Sequence, residues 1–399
     1  MAKEDRVLIV GAGPVGMVAA MVLAEAGIPV LLCEANPDLA IDLRASTFHP
    51  PTLDMLDRFG ITEQLIANGL RAPSWQFRDR ESGERAEFDL TLIKDVTAHP
   101  YRVQCEQHKM TRMVLDKIKD WGNVEIWFDS RLQAFGQSED GVWATVKRNG
   151  EDVTVRGRYL IGADGASSTV RQSLNLSFDG VTYPEWFVQA TTAFEFRDHI
   201  PHLSLINYVS DSNEWFVLLR VVGHWRCLFP SREGETPEDA VAPDALQRRL
   251  NGVFMRDQPY ELTHRTIYRI HQRVVTTYNV GRIFLAGDSA HLNNPLGGMG
   301  MNGGIHDAFN LTEKIVKVWR REGSAALFDQ YTRQRQPIAV ENVQAQAERN
   351  RQLLNERDPA VRLRRFRDTQ QTAEDPTKAR AFLMRSSMIE GLRRSQQLG

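Results

Sequence analysis

The amino-acid sequence predicts an α/β fold, in which a buried parallel sheet flanked by helices is joined to a mostly β region and a helical C-terminal tail. Three observations predict it. The apolar runs at residues 6–10 and 28–33 are short and continuous, as in strands buried on both faces. Between about 181 and 274, aromatic and β-branched residues predominate, which favours strands. From Ile305 onward the pattern is largely helical to the end of the chain.

The composition argues against several classes of protein. The 399 residues carry a formal net charge of −2, which does not favour general binding to nucleic acid or to anionic membranes. Cys33, Cys105 and Cys227 form no CxxC pair, so the sequence predicts neither a disulfide framework nor a metal site. The chain enters a strand at once, without a signal-peptide pattern, and no apolar run is long enough to cross a bilayer. We therefore expect a soluble cytoplasmic protein, either a monomer or a homodimer.

The first motif, GAGPVG at residues 11–16, follows a strand and opens a helix that stops at Gly27. Gly11 permits a tight turn, Gly13 lets the backbone approach a pyrophosphate, and Gly16 lets the helix pack close to the strand. Glu34 follows the second strand, 23 positions after Gly11, where a carboxylate can accept hydrogen bonds from an adenosine ribose. A carboxylate at this point repels the 2′-phosphate that NADP carries on its adenosine ribose. This Rossmann-like unit therefore suits FAD or NAD rather than NADP.

Two further glycine-containing motifs lie at predicted strand ends. Residues 159–171, YLIGADGASSTVR, place an Asp-Gly turn before a helix start, where Asp164 is equally well explained as a helix cap. Residues 287–304, GDSAHLNNPLGGMGMNGG, hold six glycines and follow another buried strand. Taken alone, this third segment is also compatible with a flexible loop.

In their order and separation, the three motifs resemble those of the class A flavoprotein aromatic hydroxylases, of which para-hydroxybenzoate hydroxylase is the type member. The resemblance covers roughly residues 5–345 and rests on GAGPVG, GADGASSTVR and GDSAHLNNPLGGMGMNGGIHDA. It implies a glutathione-reductase type FAD-binding domain and an FAD-dependent monooxygenase. NADH or NADPH would be the electron donor, O2 the co-substrate, and a flavin C4a-hydroperoxide the oxygenating species. The implied substrate is a small aromatic compound, such as a phenol, hydroxybenzoate, nitrophenol or hydroxypyridine.

The expected domain organisation is discontinuous. Residues 1–73, 100–180 and 275–345 are predicted to form the FAD-binding domain. Residues 74–99 and 181–274 are predicted to form a β-sheet substrate domain, and residues 346–399 a helical C-terminal region.

The resemblance also implies which residues hold FAD. Pro295 would form a rigid wall beside the oxygen-bearing flavin carbon, which makes it a catalytic candidate as well. Backbone N–H groups of Met301 and Asn302 would stabilise the negative charge of the reduced ring. The complete set of expected cofactor-binding residues is Gly11, Gly13, Gly16, Glu34, Arg44, Gln107, Asp164, Gly165, Asp288, Pro295, Gly298, Gly300, Met301 and Asn302.

The substrate is expected between the β region and the flavin. Tyr208, Arg220, His224 and Arg226 are the candidates that would polarise or deprotonate it, although a role inside the sheet is the favoured interpretation for any one of them. Arg220 and Arg226 can face either side of that sheet.

Two alternatives to a hydroxylase remain open at this point. Flavin-dependent halogenases carry a WxWxIP motif, and the nearest stretch here, WRCLFP at 225–230, lacks the second Trp and the Ile. A flavin-bearing binding or regulatory protein is the other alternative. The Asn293-Asn294 pair departs from the hydrophobic residue and Pro that are common in the family before Pro295.

Overall fold

The structure is a computed structural model that describes residues 5–41, 43 and 45–399. Its strands, in chain order, are β1 (Val7–Val10), β2 (Val30–Cys33), β3 (Thr47–Phe48), β4 (Leu70–Ala72), β5 (Ser74–Asp79), β6 (Arg85–Asp89), β7 (Arg102–Gln104), β8 (Val124–Trp127), β9 (Ser130–Gln137), β10 (Val142–Arg148), β11 (Glu151–Gly157), β12 (Tyr159–Gly162), β13 (Phe178–Thr192), β14 (Ile206–Ser210), β15 (Phe216–Val221), β16 (His224–Pro230), β17 (Leu262–Val275), β18 (Asn279–Val280), β19 (Ile283–Leu285) and β20 (His291–Leu292).

The helices complete the element order. They are α1 (Pro14–Glu25), α2 (Pro50–Asp57), α3 (Ile61–Ala67), α4 (Gln107–Ile118), α5 (Thr169–Ser173), α6 (Pro237–Ala240), α7 (Pro243–Val253), α8 (Gly300–Trp319), α9 (Ala326–Ile338), α10 (Ala345–Leu354), α11 (Pro359–Glu374), α12 (Pro376–Ser386) and α13 (Ile389–Gln397). Short 3₁₀ turns occupy Leu90–Ile93, Phe196–Asp198 and Gly287–Ser289, and a π-helical segment spans Ala339–Gln344.

A six-stranded sheet, in the order β18-β19-β12-β1-β2-β8, forms the centre of the nucleotide-binding part. β1 pairs in parallel with both β2 and β12, and every residue of these three strands is buried. Continuous apolar sequence is what a strand needs when helices cover both of its faces. The predicted α/β fold is confirmed.

An eight-stranded sheet, in the order β20-β17-β13-β16-β15-β14-β5-β6, forms the second large layer. One of its faces packs apolar residues such as Val188, Phe216 and Cys227 against the buried side of α7. Its other face carries Tyr208, Val217 and Leu228, which are cross-strand neighbours and therefore point the same way. That second face borders the cavity described below.

The C-terminal helices pack against the edge of the eight-stranded sheet. Phe382 of α12 stacks on Phe88 of β6 with ring centroids 4.5 Å apart. The Arg362 guanidinium of α11 forms a buried ion pair with Asp79 of β5, with Nε and Oδ1 separated by 2.9 Å. Within the described part of the chain, no helix combines the length and apolar character needed to span a membrane.

Candidate active site

A cavity of about 410 Å³ is lined by residues from both large sheets. It collects segments that are far apart in the sequence, including the ends of β1, β2 and β12 and the loop before α8. Ten of the expected cofactor and substrate residues line it, as does Asn293: Gly13, Glu34, Gln107, Gly165, Tyr208, Asp288, Pro295, Gly298, Gly300 and Met301.

Gly11 and Gly16 do not line the cavity but shape the turn that leads into it. Gly11 has φ +101°, and a Cβ there would lie 2.4 Å from the carbonyl oxygen of Ala163. A Cβ on Gly16 would lie 1.9 Å from the carbonyl oxygen of Gly11. Only glycine therefore allows β1, β12 and α1 to approach this closely. Gly13 is the N-cap of α1, and among the described residues no side chain caps this helix.

Glu34 stands at the end of β2 with its side chain held in place. Its carboxylate accepts hydrogen bonds from the backbone N–H of Ala12 at 2.8 Å and of Asn36 at 2.9 Å. These bonds tie the acid to the glycine turn. The carboxylate therefore borders the cavity in a fixed orientation.

The loop before α8 presents bare backbone to the cavity. Pro295, Gly298 and Met301 line it, and α8 begins at Gly300 without a side-chain cap or an acidic residue in its first turn. An uncapped helix N-terminus offers free N–H donors and a positive dipole end. The Asn302 side chain turns away instead, donating to the carbonyl oxygens of Thr47 at 2.8 Å and Gly298 at 2.7 Å. Asn302 thus braces the loop through its amide.

Asp164 supports the cap of α5, whose N-cap residue is Ser168. Its carboxylate accepts hydrogen bonds from the Ser168 hydroxyl and from the backbone N–H of Val170, at 2.5 and 3.1 Å. Burial raises its pKa, although these hydrogen bonds oppose the rise. The neighbouring Gly165 lines the cavity, whereas Asp164 does not. Arg44, the remaining cofactor candidate, lies outside the described residues.

The substrate candidates separate into two groups. Tyr208 lines the cavity. Arg226 lies on the same face of the sheet, because it is the cross-strand partner of the lining residue Leu219, and it is buried there. Arg220 pairs with Glu195 at 2.9 Å on the other face, opposite Trp225. His224 lies at the start of β16, and its ring approaches the carbonyl oxygen of Val222. The structure therefore does not bring Arg220 or His224 to the cavity.

A buried ionic network supports the loop from behind. Asp307 of α8 contacts His291 Nε2 and Arg335 Nε, each at 2.7 Å, and accepts a bond from the Gly287 N–H at 3.1 Å. Burial alone would raise the pKa of Asp307, but the charges of Arg335 and His291 lower it to about 2. His291 thus has a hydrogen-bonding role in the structure.

The buried ring of His306 is expected to make the protein less stable in acid. Burial lowers its pKa from 6.5 to about 3, and its Nε2 contacts the Thr52 hydroxyl at 2.9 Å. As the pH falls, the unfolded chain therefore protonates this histidine at a higher pH than the folded chain does. The contribution of His306 to the free energy of unfolding is fully present above pH 6.5 and is lost as the pH drops toward 3. We expect His306→Gln to reduce the slope of unfolding free energy against pH in this window by up to about 1.4 kcal/mol per pH unit.

Urea unfolding between pH 7 and 4 measures this slope. The matched control is His202→Asn, which changes an exposed histidine whose φ of +58° asparagine tolerates. An identical slope in wild type and His306→Gln would contradict the assignment.

Several cavity residues were missed by the sequence analysis. Tyr268, Arg269 and His271 line the cavity from β17, and Thr47 lines it from β3. Arg102, which does not line the cavity but hydrogen-bonds the Tyr208 hydroxyl, was also missed: the residue is 2% exposed, and its guanidinium lies 4.9 Å from the centre of the Trp75 ring.

Comparison with known proteins identifies the family. Residues 4–346 match the family model described as FAD binding domain. The chain is 32% identical to para-nitrophenol 4-monooxygenase of Pseudomonas sp. strain WBC-3, over 98% of each sequence. It is also 32% identical to 6-hydroxy-3-succinoylpyridine 3-monooxygenase of Pseudomonas putida, over 90% of this chain and 91% of that one.

Comparison with solved structures points to the same kind of protein. The crystal structure of p-nitrophenol 4-monooxygenase from Pseudomonas putida matches with a TM-score of 0.88 at 29% identity, covering 97% of this chain and 98% of that chain. The chain belongs to the class A flavoprotein aromatic hydroxylases. Members of this family are FAD-dependent monooxygenases, which favours that activity over the halogenase and the regulatory alternatives.

The cavity fits the FAD of this family. Two uncapped helix N-termini, those of α1 and α8, border it and suit the pyrophosphate and a reduced, negatively charged flavin ring. Glu34 offers carboxylate oxygens at the place where the adenosine ribose is expected. Bound FAD supplies the hydride acceptance and the oxygen activation that no side chain provides.

Proposed function

We propose that this protein hydroxylates a small phenol with NADH or NADPH and O2, on FAD bound in the cavity. The observation that carries the proposal is the construction of that cavity. Bare backbone at Pro295, Gly298 and Gly300 forms one side, and an apolar sheet face ending at Tyr208 forms another. A flat aromatic ring fits between a flavin held by the first side and the wall formed by the second.

The apolar wall positions the ring and excludes water. Val217, Leu219 and Leu228 contribute this surface from two neighbouring strands. Water exclusion protects reactive oxygen species on a cofactor from unproductive breakdown. The wall thereby favours oxygen transfer to the substrate.

Tyr208 supplies the polar contact for the phenolic oxygen. Burial raises the pKa of its hydroxyl, and the adjacent Arg102 guanidinium opposes that rise. The hydroxyl therefore keeps its proton at neutral pH and can donate to the substrate oxygen. The positive charge of Arg102 beside that hydroxyl favours the deprotonated, electron-rich form of the phenol, which is the form that an electrophilic oxygen attacks.

We further propose that the discontinuous domain division predicted from the sequence holds, with the eight-stranded sheet as the substrate-binding part. The cavity supports this division because its apolar wall belongs to that sheet, whereas its glycine turns belong to the six-stranded one. The aromatic substrate, O2 and NADH or NADPH are the partners that this function requires.

Replacing Tyr208 by phenylalanine is expected to weaken phenol binding about tenfold while leaving FAD binding unchanged. One hydrogen bond to a buried polar group contributes about 1 kcal/mol or slightly more, which corresponds to this factor. Titrating 4-nitrophenol into the FAD-loaded protein and following flavin absorbance measures the change.

Tyr260→Phe is the matched control, since the Tyr260 hydroxyl bonds the Phe254 carbonyl in the core on the other face of the sheet. Equal losses of phenol binding in the two variants would argue against a substrate contact.

The function itself is tested by screening phenols for stimulated NADH or NADPH oxidation and identifying the product by mass spectrometry. A panel in which every phenol leaves the oxidation rate unchanged would refute the proposal.

A further inference from the structure

The peptide group between Leu296 and Gly297, in the loop before α8, is held from both sides. Its carbonyl oxygen accepts a hydrogen bond from the Asn350 amide of α10 at 3.3 Å. Its N–H hydrogen-bonds the hydroxyl of Tyr208, which lines the cavity. The peptide is trans, so its C=O and its N–H point in opposite directions. A side chain that fixes the carbonyl therefore also aims the N–H at Tyr208.

Asn350 is itself held by a chain of hydrogen bonds along α10. Arg349 donates to Oε1 of Gln346 at 3.0 Å, and Nε2 of Gln346 donates to Oδ1 of Asn350 at 3.0 Å. The direction of the chain is fixed at both ends, because a guanidinium can only donate and the Leu296 carbonyl can only accept. Gln346 and Asn350 are 4% and 6% exposed, so water is largely excluded from both amides. We call Arg349, Gln346 and Asn350 the amide relay.

The amide relay approaches the loop closely because residue 297 is glycine. A Cβ on Gly297 would lie 3.3 Å from Nδ2 of Asn350, and the residue has φ +116°. Asn350 lies beyond residue 346, where the match to the FAD-binding family model ends. The contact between α10 and the loop is therefore a feature of this chain that the family model does not describe.

The amide relay bears on the direction of the Tyr208 proton. A tyrosine hydroxyl carries one proton and can accept hydrogen bonds at its oxygen. The Tyr208 oxygen accepts from the Gly297 N–H and from the Arg102 guanidinium, both of which can only donate. Its own proton must therefore point elsewhere, and the cavity is the side that Tyr208 lines. Two donors on the oxygen also strengthen the O–H as a donor, because hydrogen bonds in a chain polarise one another.

We propose that Asn350 is a positioning residue, which holds the Leu296–Gly297 peptide so that the Tyr208 hydroxyl donates into the cavity and favours a phenol bound as its phenolate. Hydrogen bonds donated to an ionised group favour the ionised form. Asn350 acts through the peptide and through Tyr208 and does not touch the substrate. The inference rests on the proposed function, since it assumes that a phenol occupies the cavity. It adds the form in which the phenol binds and the residue that enforces it.

The test measures how much of the bound 4-nitrophenol is ionised at one fixed pH, in FAD-saturated wild type and Asn350→Leu. The phenolate absorbs visible light that the neutral phenol does not absorb. The difference spectrum against the same protein without ligand therefore gives the ratio of the two forms at saturation. Leucine has a similar shape to asparagine but cannot donate. We expect the ratio of phenolate to phenol to fall about fivefold, which is the effect of one buried hydrogen bond.

Tyr183→Phe is the matched control. The Tyr183 hydroxyl donates to the Glu348 carboxylate of α10 at 2.5 Å, so its loss loosens the same helix without removing a bond of the amide relay. We expect this variant to melt at a lower temperature and to keep the wild-type ratio of phenolate to phenol. A role of Asn350 limited to the packing of α10 would instead lower the ratio in both variants.

Gln346→Leu is a second variant that keeps the bond from Asn350 to the Leu296 carbonyl. It removes only the donor behind Asn350, so we expect a smaller fall of the ratio, about twofold, in the same direction. This variant tests the inference even where Asn350→Leu does not fold.

The outcomes separate this inference from the proposed function. An unchanged ratio in Asn350→Leu, or in Gln346→Leu where the first variant does not fold, would overturn the positioning role. An equal fall in Tyr183→Phe would overturn it as well. A wild-type protein that binds no phenol would overturn the proposed function and this inference together. A wild type that hydroxylates phenols, with the same ratio in every variant, would overturn this inference alone.

Discussion

Gly11→Ala is expected to weaken FAD binding on the order of 100-fold and to yield largely colourless protein. The new Cβ would lie 2.4 Å from the Ala163 carbonyl oxygen, in a backbone conformation with φ +101°. Left-handed strain of about 1–3 kcal/mol together with this clash must displace the N-terminus of α1 from the pyrophosphate position. Fluorescence titration of apoprotein with FAD measures the loss.

Gly27→Ala provides the matched control for this variant. Gly27 also has positive φ, +82°, but a Cβ there would meet no heavy atom within 4 Å. Both variants carry backbone strain, and only Gly11→Ala carries the clash beside the cavity. If both lose FAD to the same degree, the argument from close approach at the glycine turn is wrong.

Asp307→Asn is expected to lower the free energy of unfolding by about 3 kcal/mol. The change leaves the buried guanidinium of Arg335 without its carboxylate, and uncompensated buried charges cost about that much. It also weakens the bond that fixes the Gly287 N–H, one residue before the cavity-lining Asp288. We therefore expect weaker FAD binding as well. Urea unfolding and FAD titration measure the two effects.

Glu313→Gln is the control on the same helix. Glu313 pairs with Lys317 across one turn at 2.7 Å, but both side chains are largely exposed. Exposed pairs of this kind contribute about 0.3–0.5 kcal/mol. A loss in Asp307→Asn no greater than in Glu313→Gln would contradict the structural importance of the buried network.

The features that the sequence predicts well are local ones. A strand followed by a glycine turn and a helix is encoded within about twenty residues, so the placement of Gly13 and Glu34 followed from the pattern. The hairpin between β10 and β11 is similar, because Asn149 and Gly150 both adopt positive φ, 52° and 85°, as the Asn-Gly pair predicts.

Features that depend on the register of strands far apart in the chain could not be predicted from the sequence. Whether Arg220 or Arg226 faces the cavity depends on the pairing of β15 with β16, which alternation alone does not determine. Asp164 illustrates a different limit, since a carboxylate before a helix can cap it or bind a ligand with the same local sequence.

Oxygen-isotope incorporation tests the central claim most directly. FAD-loaded protein is supplied with NADH or NADPH, 4-nitrophenol or another phenol from the panel, and ¹⁸O-labelled O2, and the aromatic product is analysed by mass spectrometry. We expect one ¹⁸O atom in the hydroxylated product, formed in proportion to the reduced nicotinamide consumed. Nicotinamide oxidation that yields only hydrogen peroxide, with no labelled aromatic product from any phenol, would contradict the account.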